Sequence, residues 1–445
     1  SPGADGFGSG SRMTAPAVLG TDRGYCIRSG DDAGAIASRV GRWSLQDTAK
    51  KLLPNDRQLQ KCHCNAAPIR PGGAMPEKRA AVREVEIWAG EGKAFFRGVV
   101  QCGSVWVCPV CAGKVSEKRR KELQGCIDNA LNRSAQMGVS LVTLTVRHGV
   151  GDVLADLLPK FSKALRRLKS GRPYKKLCAD FGIVGEARAL EVTHGKNGWH
   201  PHTHAVTFSN APMLDNRSSF PQYREENKRT KLPGRTVGIV APISRHRLTQ
   251  FKRRLFALWY RACKAEGLPL PTYRHGVDVR GAKYAADYVA KWGFADELVK
   301  SQRKKAGQGG RNPWQLLDDA RAGDKRAAWL FREYAASFRG RRQLFWSKIM
   351  VGGKMISLKK YLTDADEITD QEAIEETDAD AMTAAACVAV LDADTWACVL
   401  KGHARAHVLE AAREGTAALC GLLNRLRAEV GLYGRTLEPR EEWAV

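Results

Sequence analysis

The stretch FGIVGEARALEVTHGKNGWHPHTHAVTF, Phe181 to Phe208, constrains the fold more than any other part of this 445-residue chain. Two runs that alternate apolar and polar residues flank Gly195-Lys196-Asn197-Gly198, and Asn-Gly between such runs is the strongest short-range hairpin signal. Side chains along a strand point to alternate faces, so His202 and His204 share one face. Glu191 joins them there if the loop has an even length, opposite His204 if Asn197-Gly198 forms the two-residue turn; an odd loop turns it away. Two neutral imidazoles and a carboxylate suit a divalent cation that must keep positions open for a phosphate, whereas an isolated HxH is simply two core or solvated histidines.

Around this hairpin the periodicities predict an alternation of strands and helices. VREVEIW and AFFRGVV, joined by AGEGK, read as a first hairpin (82–100), and VSLVTLTV (139–146) as a buried strand. KVSEKRRKELQGCIDNALNRSAQM predicts a helix capped by Ser116, with Leu123, Ile127 and Leu131 on one face. Basic amphipathic helices are expected over 153–168 and 244–264, the latter burying Leu248, Phe251, Leu255 and Trp259. A short strand at 276–279, a helix in GAKYAADYVAKW and a helical stretch over 311–346, capped by Asn312 and opened by Pro313, follow.

Tyr284 and Tyr288 are four apart in the predicted helix, so their hydroxyls emerge on one face, flanked by Arg280, Lys283 and Lys291. A tyrosine hydroxyl attacks a phosphate only if its proton is removed and the phosphate is polarised, which a nearby metal does; without one, the pair is two core aromatics. The spacing C-x37-C-x5-C-x2-C, from Cys64 through Cys102 and Cys108 to Cys111, can close a tetrahedral structural zinc site, with Cys62 and His63 as rival ligands. The other cysteines show no ligand spacing and read as core thiols.

Charge points to the partner. Seventy-two Lys and Arg against 47 Asp and Glu leave +25 at pH 7, which calls for a polyanion such as DNA, with the helices 114–133 and 244–264 as candidate backbone contacts. No run reaches the 18 or more apolar residues of a membrane span and the start lacks a secretion-signal shape, so a cytoplasmic location is expected.

Taken in order, CGSVWVCPVCAGKVSEKRRKEL, LVTLTV, LEVTHGKNGWHPHTHAV, YAADYVAKW and NPWQLLDDARAGDKRAAWLFREYAASFRGRRQLFWS resemble the plasmid rolling-circle replication initiators of the HUH endonuclease superfamily, over about Cys64 to Trp346. The resemblance implies an α+β nuclease: a central antiparallel sheet with helices packed on one side and the histidine strands in the middle. Here it is preceded by a zinc-ribbon-like hairpin module and followed by a small helical tail. The expected division is a vector-derived scar (1–12), an N-terminal arm (13–58), a zinc-binding module (59–112), the endonuclease core (113–300), a helical extension (301–363), an acidic solvated linker (364–381) and a helical C-terminal segment (382–445).

By the same resemblance His202 and His204 match the paired histidines, with Glu191 beside them holding Mg²⁺ or Mn²⁺, and Tyr288, three residues before a supporting Lys291, is the nucleophile. Thr203 departs from the bulkier apolar residue usual between the histidines, and Tyr284 stands where several relatives carry a water-activating glutamate. That second departure opens a two-tyrosine arrangement like that of phage initiators and some single-strand transposases. The implied reaction is transesterification on single-stranded origin DNA through a 5′-phosphotyrosine, with the freed 3′ end extended by host polymerase and the duplex opened by a host helicase. A transposase or mobilisation relaxase is the alternative within this chemistry, and a non-catalytic zinc-containing DNA-binding protein the alternative outside it.

Overall fold

The computed structural model describes residues 32–65, 84–133, 137–210, 245–290 and 310–431. Its centre is an antiparallel sheet in the order β6-β3-β5-β4-β7, formed by β3 (Gly138–Thr145), β4 (Ile183–Gly195), β5 (Gly198–Ser209), β6 (Val277–Gly281) and β7 (Leu344–Trp346). The histidine strand β5 is thus the middle strand. The β4–β5 turn is Lys196-Asn197, closed by the Gly195–Gly198 pair, one residue earlier than the Asn-Gly signal suggests. Gly198 sits at φ +83°, and a Cβ there would meet the Gly149 carbonyl oxygen at 2.5 Å, so only glycine fits. The loop length stays even, so the face is right but the partner changes: Glu191 pairs with His202, and Ala189 with His204.

Helices cover both faces of this sheet, not one. On one side Val142, Leu144, Ala205, Val277 and Val279 pack with Phe161, Leu177, Phe251 and Trp259 from α4 (Leu154–Ser170), α5 (Arg172–Phe181) and α6 (Arg245–Ala265). On the other, Leu141, Ala187, Ala189 and Val206 meet Leu123 and Ile127 of α3 (Pro109–Arg133) and Ala285 and Val289 of α8 (Ala282–Ala290); the short α7 (Tyr273–Gly276) precedes β6. Each fully buried Leu, Ile or Phe contributes about 1.5–3 kcal/mol, so both layers belong to the fold. The second cover stops partway along the strands. Beyond it the same face turns polar, at Thr143, Thr145, Glu191, His202 and His204.

A second sheet, β10-β1-β2, joins β1 (Val85–Gly90) and β2 (Lys93–Arg97), the expected hairpin, to β10 (Ala386–Leu391) from the tail. One core runs through Trp43 and Leu45 of α1 (Asp32–Leu52), Leu59 of the short α2 (Arg57–Lys61), Ile87, Phe96 and Cys108. It continues into Phe331 of α10 (Lys325–Phe338) and Trp396 and Leu423 of the tail helices α13 (Ala393–Lys401), α14 (Arg405–Glu414) and α15 (Thr416–Glu429). The hairpin, the clustered cysteines on either side of it and the C-terminal segment therefore share one interior. Within the expected arm, 32–52 is helical, and the expected helical tail includes a strand.

Two further readings change. Helix α3 starts at Pro109, not near Ser116, because proline suits a first helical turn and Cys108 accepts from the Ala112 N–H at 2.9 Å. The acidic stretch is no linker: β8 (Lys348–Val351), β9 (Lys354–Ser357) and α11 (Leu358–Thr363) lead into α12 (Asp370–Met382), where Thr369 and Glu372 form a capping box. Its Ala373 and Ile374 are fully buried, and Asp378 and Glu376 pair with Lys114 and Lys118 of α3 at 2.5 and 2.7 Å. Partly exposed pairs add about 0–1 kcal/mol each, so the buried Ile374 anchors this helix and the charges orient it. The 311–346 stretch splits into α9 (Pro313–Arg321) and α10, with Asn312 capping α9 as expected.

Candidate functional site

The polar end of the central sheet gathers three side chains from two strands. Glu191 Oε2 lies 3.4 Å from His202 Nε2 and 3.7 Å from His204 Nε2. Helix α8 adds a fourth group, because the Tyr288 hydroxyl donates to Glu191 Oε1 at 2.6 Å, its ring 4.8 Å from that of His204. Ninety-seven residues of sequence separate Tyr288 from the carboxylate it bonds. Tyr284, one turn earlier, is not part of this group: it is 47% exposed and its ring lies 4.7 Å below the Arg280 guanidinium. Lys291 lies outside the described residues.

The outer nitrogens of the histidines are spoken for. His202 Nδ1 is 3.0 Å from the His200 carbonyl, which can only accept, so Nδ1 carries the proton; His204 Nδ1 is 2.8 Å from Thr143 Oγ1. A neutral His202 then turns a bare Nε2 lone pair toward a carboxylate, an arrangement that is stable only with a second proton or a cation between them. Burial alone would push the His202 imidazole down, but its hydrogen bond with Glu191 and that group's charge carry it up instead. Burial lowers His204. Burial would raise Glu191, yet the His202 hydrogen bond and the two imidazoles hold its carboxyl down at about 2. The three ligand atoms lie within 4.8 Å of one another, and donors bound about 2.1 Å from one ion are about 3–3.5 Å apart, so the set fits a divalent cation.

Outward from His202 the imidazoles continue as a column. The His200 ring stacks on His202 at 4.9 Å and 28°, and His148, from the loop after β3, stacks on His200 at 4.6 Å and 24°. The period-two pattern already put His200 on the metal face; nothing local in the sequence announced His148.

The cysteines form a second cluster, with one change of ligand. The sulfurs that converge are those of Cys62, Cys102, Cys108 and Cys111; Cys64, expected in the set, instead accepts from Lys50 Nζ at 2.9 Å. Cys62 Sγ is 3.8 Å from that of Cys108 and 3.6 Å from that of Cys111, and Cys102 is 3.7 Å from Cys111. Four sulfurs bound tetrahedrally at about 2.3 Å stand about 3.8 Å apart, so the quartet fits zinc. Gln46 Nε2 donates to Cys108 at 3.1 Å and the Cys102 N–H to Cys62 at 3.4 Å, as thiolates require. Buried Arg405 of the tail then holds Gln46 Oε1 at 2.9 Å and pairs with Asp47. Cys62 beat Cys64 because α2 ends at Lys61 and Cys62 turns into the core, fully buried, while Cys64 stays at the edge.

No helix among the described residues is long and apolar enough to cross a membrane. Residues 95–222, which include the strands of Glu191 and of the paired histidines and three of the clustered cysteines, match a family described as replication protein. Protein rep of Streptomyces lividans is 30% identical over 374 residues, spanning 72% of this chain and 76% of that protein. Shorter matches are the neomycin resistance protein of Streptomyces cyanogenus (31% over 140 residues, 26% of this chain and 32% of that protein) and protein rep of Lentilactobacillus hilgardii (25% over 123 residues, 27% and 38%). No solved structure matches. With a replication protein alike over three quarters of its length, and a family match across the hairpin that carries Glu191 and both histidines, this chain belongs to the Rep family of plasmid replication initiators.

Proposed function

We propose that this Rep protein nicks and rejoins single-stranded origin DNA through a covalent link to Tyr288. The observation that carries the reading is the 2.6 Å hydrogen bond from the Tyr288 hydroxyl to Glu191, whose other oxygen faces both histidines. Glu191, His202 and His204 are the residues that would hold a divalent cation. When bound, Mg²⁺ or Mn²⁺ would polarise the scissile phosphate and offset the charge that builds up on it. Glu191 would ligate that cation through the oxygen that faces the histidines and, through the other, aim the tyrosine oxygen. The Tyr288 oxygen then bonds to phosphorus as the P–O3′ bond breaks; the phenolic proton passes to solvent and the departing 3′ oxygen takes one up in its place, leaving as a hydroxyl with no net proton change. One phosphoester is kept for each one broken, so the strand can be rejoined without ATP. The freed 3′ end would prime host polymerase behind a host helicase.

For the later transfer that releases a circle, Tyr284 is the second candidate nucleophile; its exposure fits a group that engages only with a second strand. The cysteine quartet takes zinc as a structural ion. The test is a denaturing gel with Mn²⁺ and single-stranded origin DNA: wild-type protein gives a covalent adduct, mapped by peptide analysis to Tyr288; Tyr288→Phe gives none, and Tyr284→Phe still does. DNA binding without any adduct, unaltered by His202→Ala, would mean a non-catalytic DNA-binding protein instead.

A further inference from the structure

The loop between β3 and α4 is built in a way the cleavage chemistry does not explain. His148 stacks on His200, which stacks on His202, so the imidazoles run on from the Glu191, His202 and His204 cluster to a partly exposed ring. Along this loop His148 is itself partly exposed, Arg147 is exposed, Val150 is 74% exposed and Val153 51%. The loop is held rather than loose: the Gly149 N–H donates to Asp152 at 2.7 Å, the Leu154 N–H to Glu333 at 2.8 Å, and the Gly149 carbonyl presses on Gly198 of the hairpin turn. A rigid platform with an aromatic face, aliphatic neighbours and a cation is what an unpaired nucleotide binds: its base stacks on the ring and its phosphate meets the guanidinium.

We infer that His148 is a base-stacking residue, which extends the imidazole column by one nucleobase of the single strand and so holds the phosphate beside it over the Glu191, His202 and His204 cluster. This rests on that cluster being the cleavage site. Stacking needs only a π-face, so the contact tolerates any base and contributes grip and register, not origin sequence. His148 is a positioning residue: it acts on the nucleotide next to the reacting phosphate.

Binding measured by fluorescence anisotropy on the full-length protein separates this from other roles. The probes are a labelled (dT)12 strand and a 12-mer of abasic nucleotides with the same phosphates. His148→Ala should weaken (dT)12 binding about tenfold and leave the abasic strand unchanged; His148→Phe, which keeps a ring and discards both nitrogens, should restore (dT)12 binding to within about threefold of wild type. Equal weakening on both probes, no weakening on either, or a Phe variant as poor as the Ala variant would each overturn the assignment. The readout is binding and needs no cleavage, so it stays readable whether or not the Tyr288 adduct forms: a missing adduct removes the cleavage site on which the positioning role rests, while a failed anisotropy pattern removes the stacking contact alone.

Discussion

The two candidate metal clusters differ in closure. The sulfur quartet is complete: three of its four cysteines are buried or nearly so, N–H groups cap the sulfurs, and the tail reaches back through Arg405 to brace the shell around it. The Glu191, His202 and His204 cluster has three donors on one open rim of a sheet, with a hydroxyl resting against one of them. Under the proposed reading, a closed tetrahedron of sulfurs around zinc would have nothing left to offer a substrate and would serve the fold, while an open triad around a cation would leave positions for a phosphate and would serve chemistry. Damage to the first should therefore appear as lost stability, and damage to the second as lost activity in a protein that still folds.

The sharpest way to break this contrast is Cys108→Ala. It should abolish zinc binding and cost at least about 4 kcal/mol of stability, read by metal analysis and urea unfolding; an unchanged midpoint would mean the quartet is ordinary buried thiols. His202→Ala should behave oppositely, with adduct formation down about 10³-fold or more while zinc content and melting temperature stay near wild type. A large loss of melting temperature there would make the histidines structural. Arg405→Met tests the bracing: it takes a buried hydrogen-bond partner from Gln46 and from the partly exposed Asp47, for about 1–3 kcal/mol, and lowers zinc affinity by about 10- to 100-fold in a chelator competition.

The smallest effect concerns the two basic helices. On α3, Lys114, Lys118 and Arg119 already pair with carboxylates of α12, whereas Arg253, Arg261 and Lys264 of α6 are exposed. Replacing Arg253 and Arg261 by Gln should shrink the salt slope of single-strand binding by about 1.4, and Lys118→Gln should leave it unchanged. Equal effects from both helices would return α3 to the DNA interface.

The parity argument needed only the chemistry of a pleated strand and an even loop, so Glu191, His202 and His204 converge despite the one-residue shift of the turn. The Asn312 cap and the buried stripe Phe251, Leu255, Trp259 are likewise local and legible. Cys62 in place of Cys64 was not, since adjacent ligand spacings are equivalent until a fold decides which one turns inward. Nor was the docked acidic helix: its composition says solvated, and the complementary charge comes from Lys114, Lys118 and Arg119 of α3, more than 250 residues earlier in the chain.

What the chain of residues determined by itself is the polar face of the hairpin, because alternation follows from bond geometry within a few residues. What only the tertiary structure decided is which distant groups meet that face or close the quartet: Tyr288 against Glu191, His148 on His200, Arg405 behind Cys62 and Cys108. Those meetings depend on how helices pack across the sheet and on a tail strand joining a hairpin almost 300 residues before it, which no local pattern encodes.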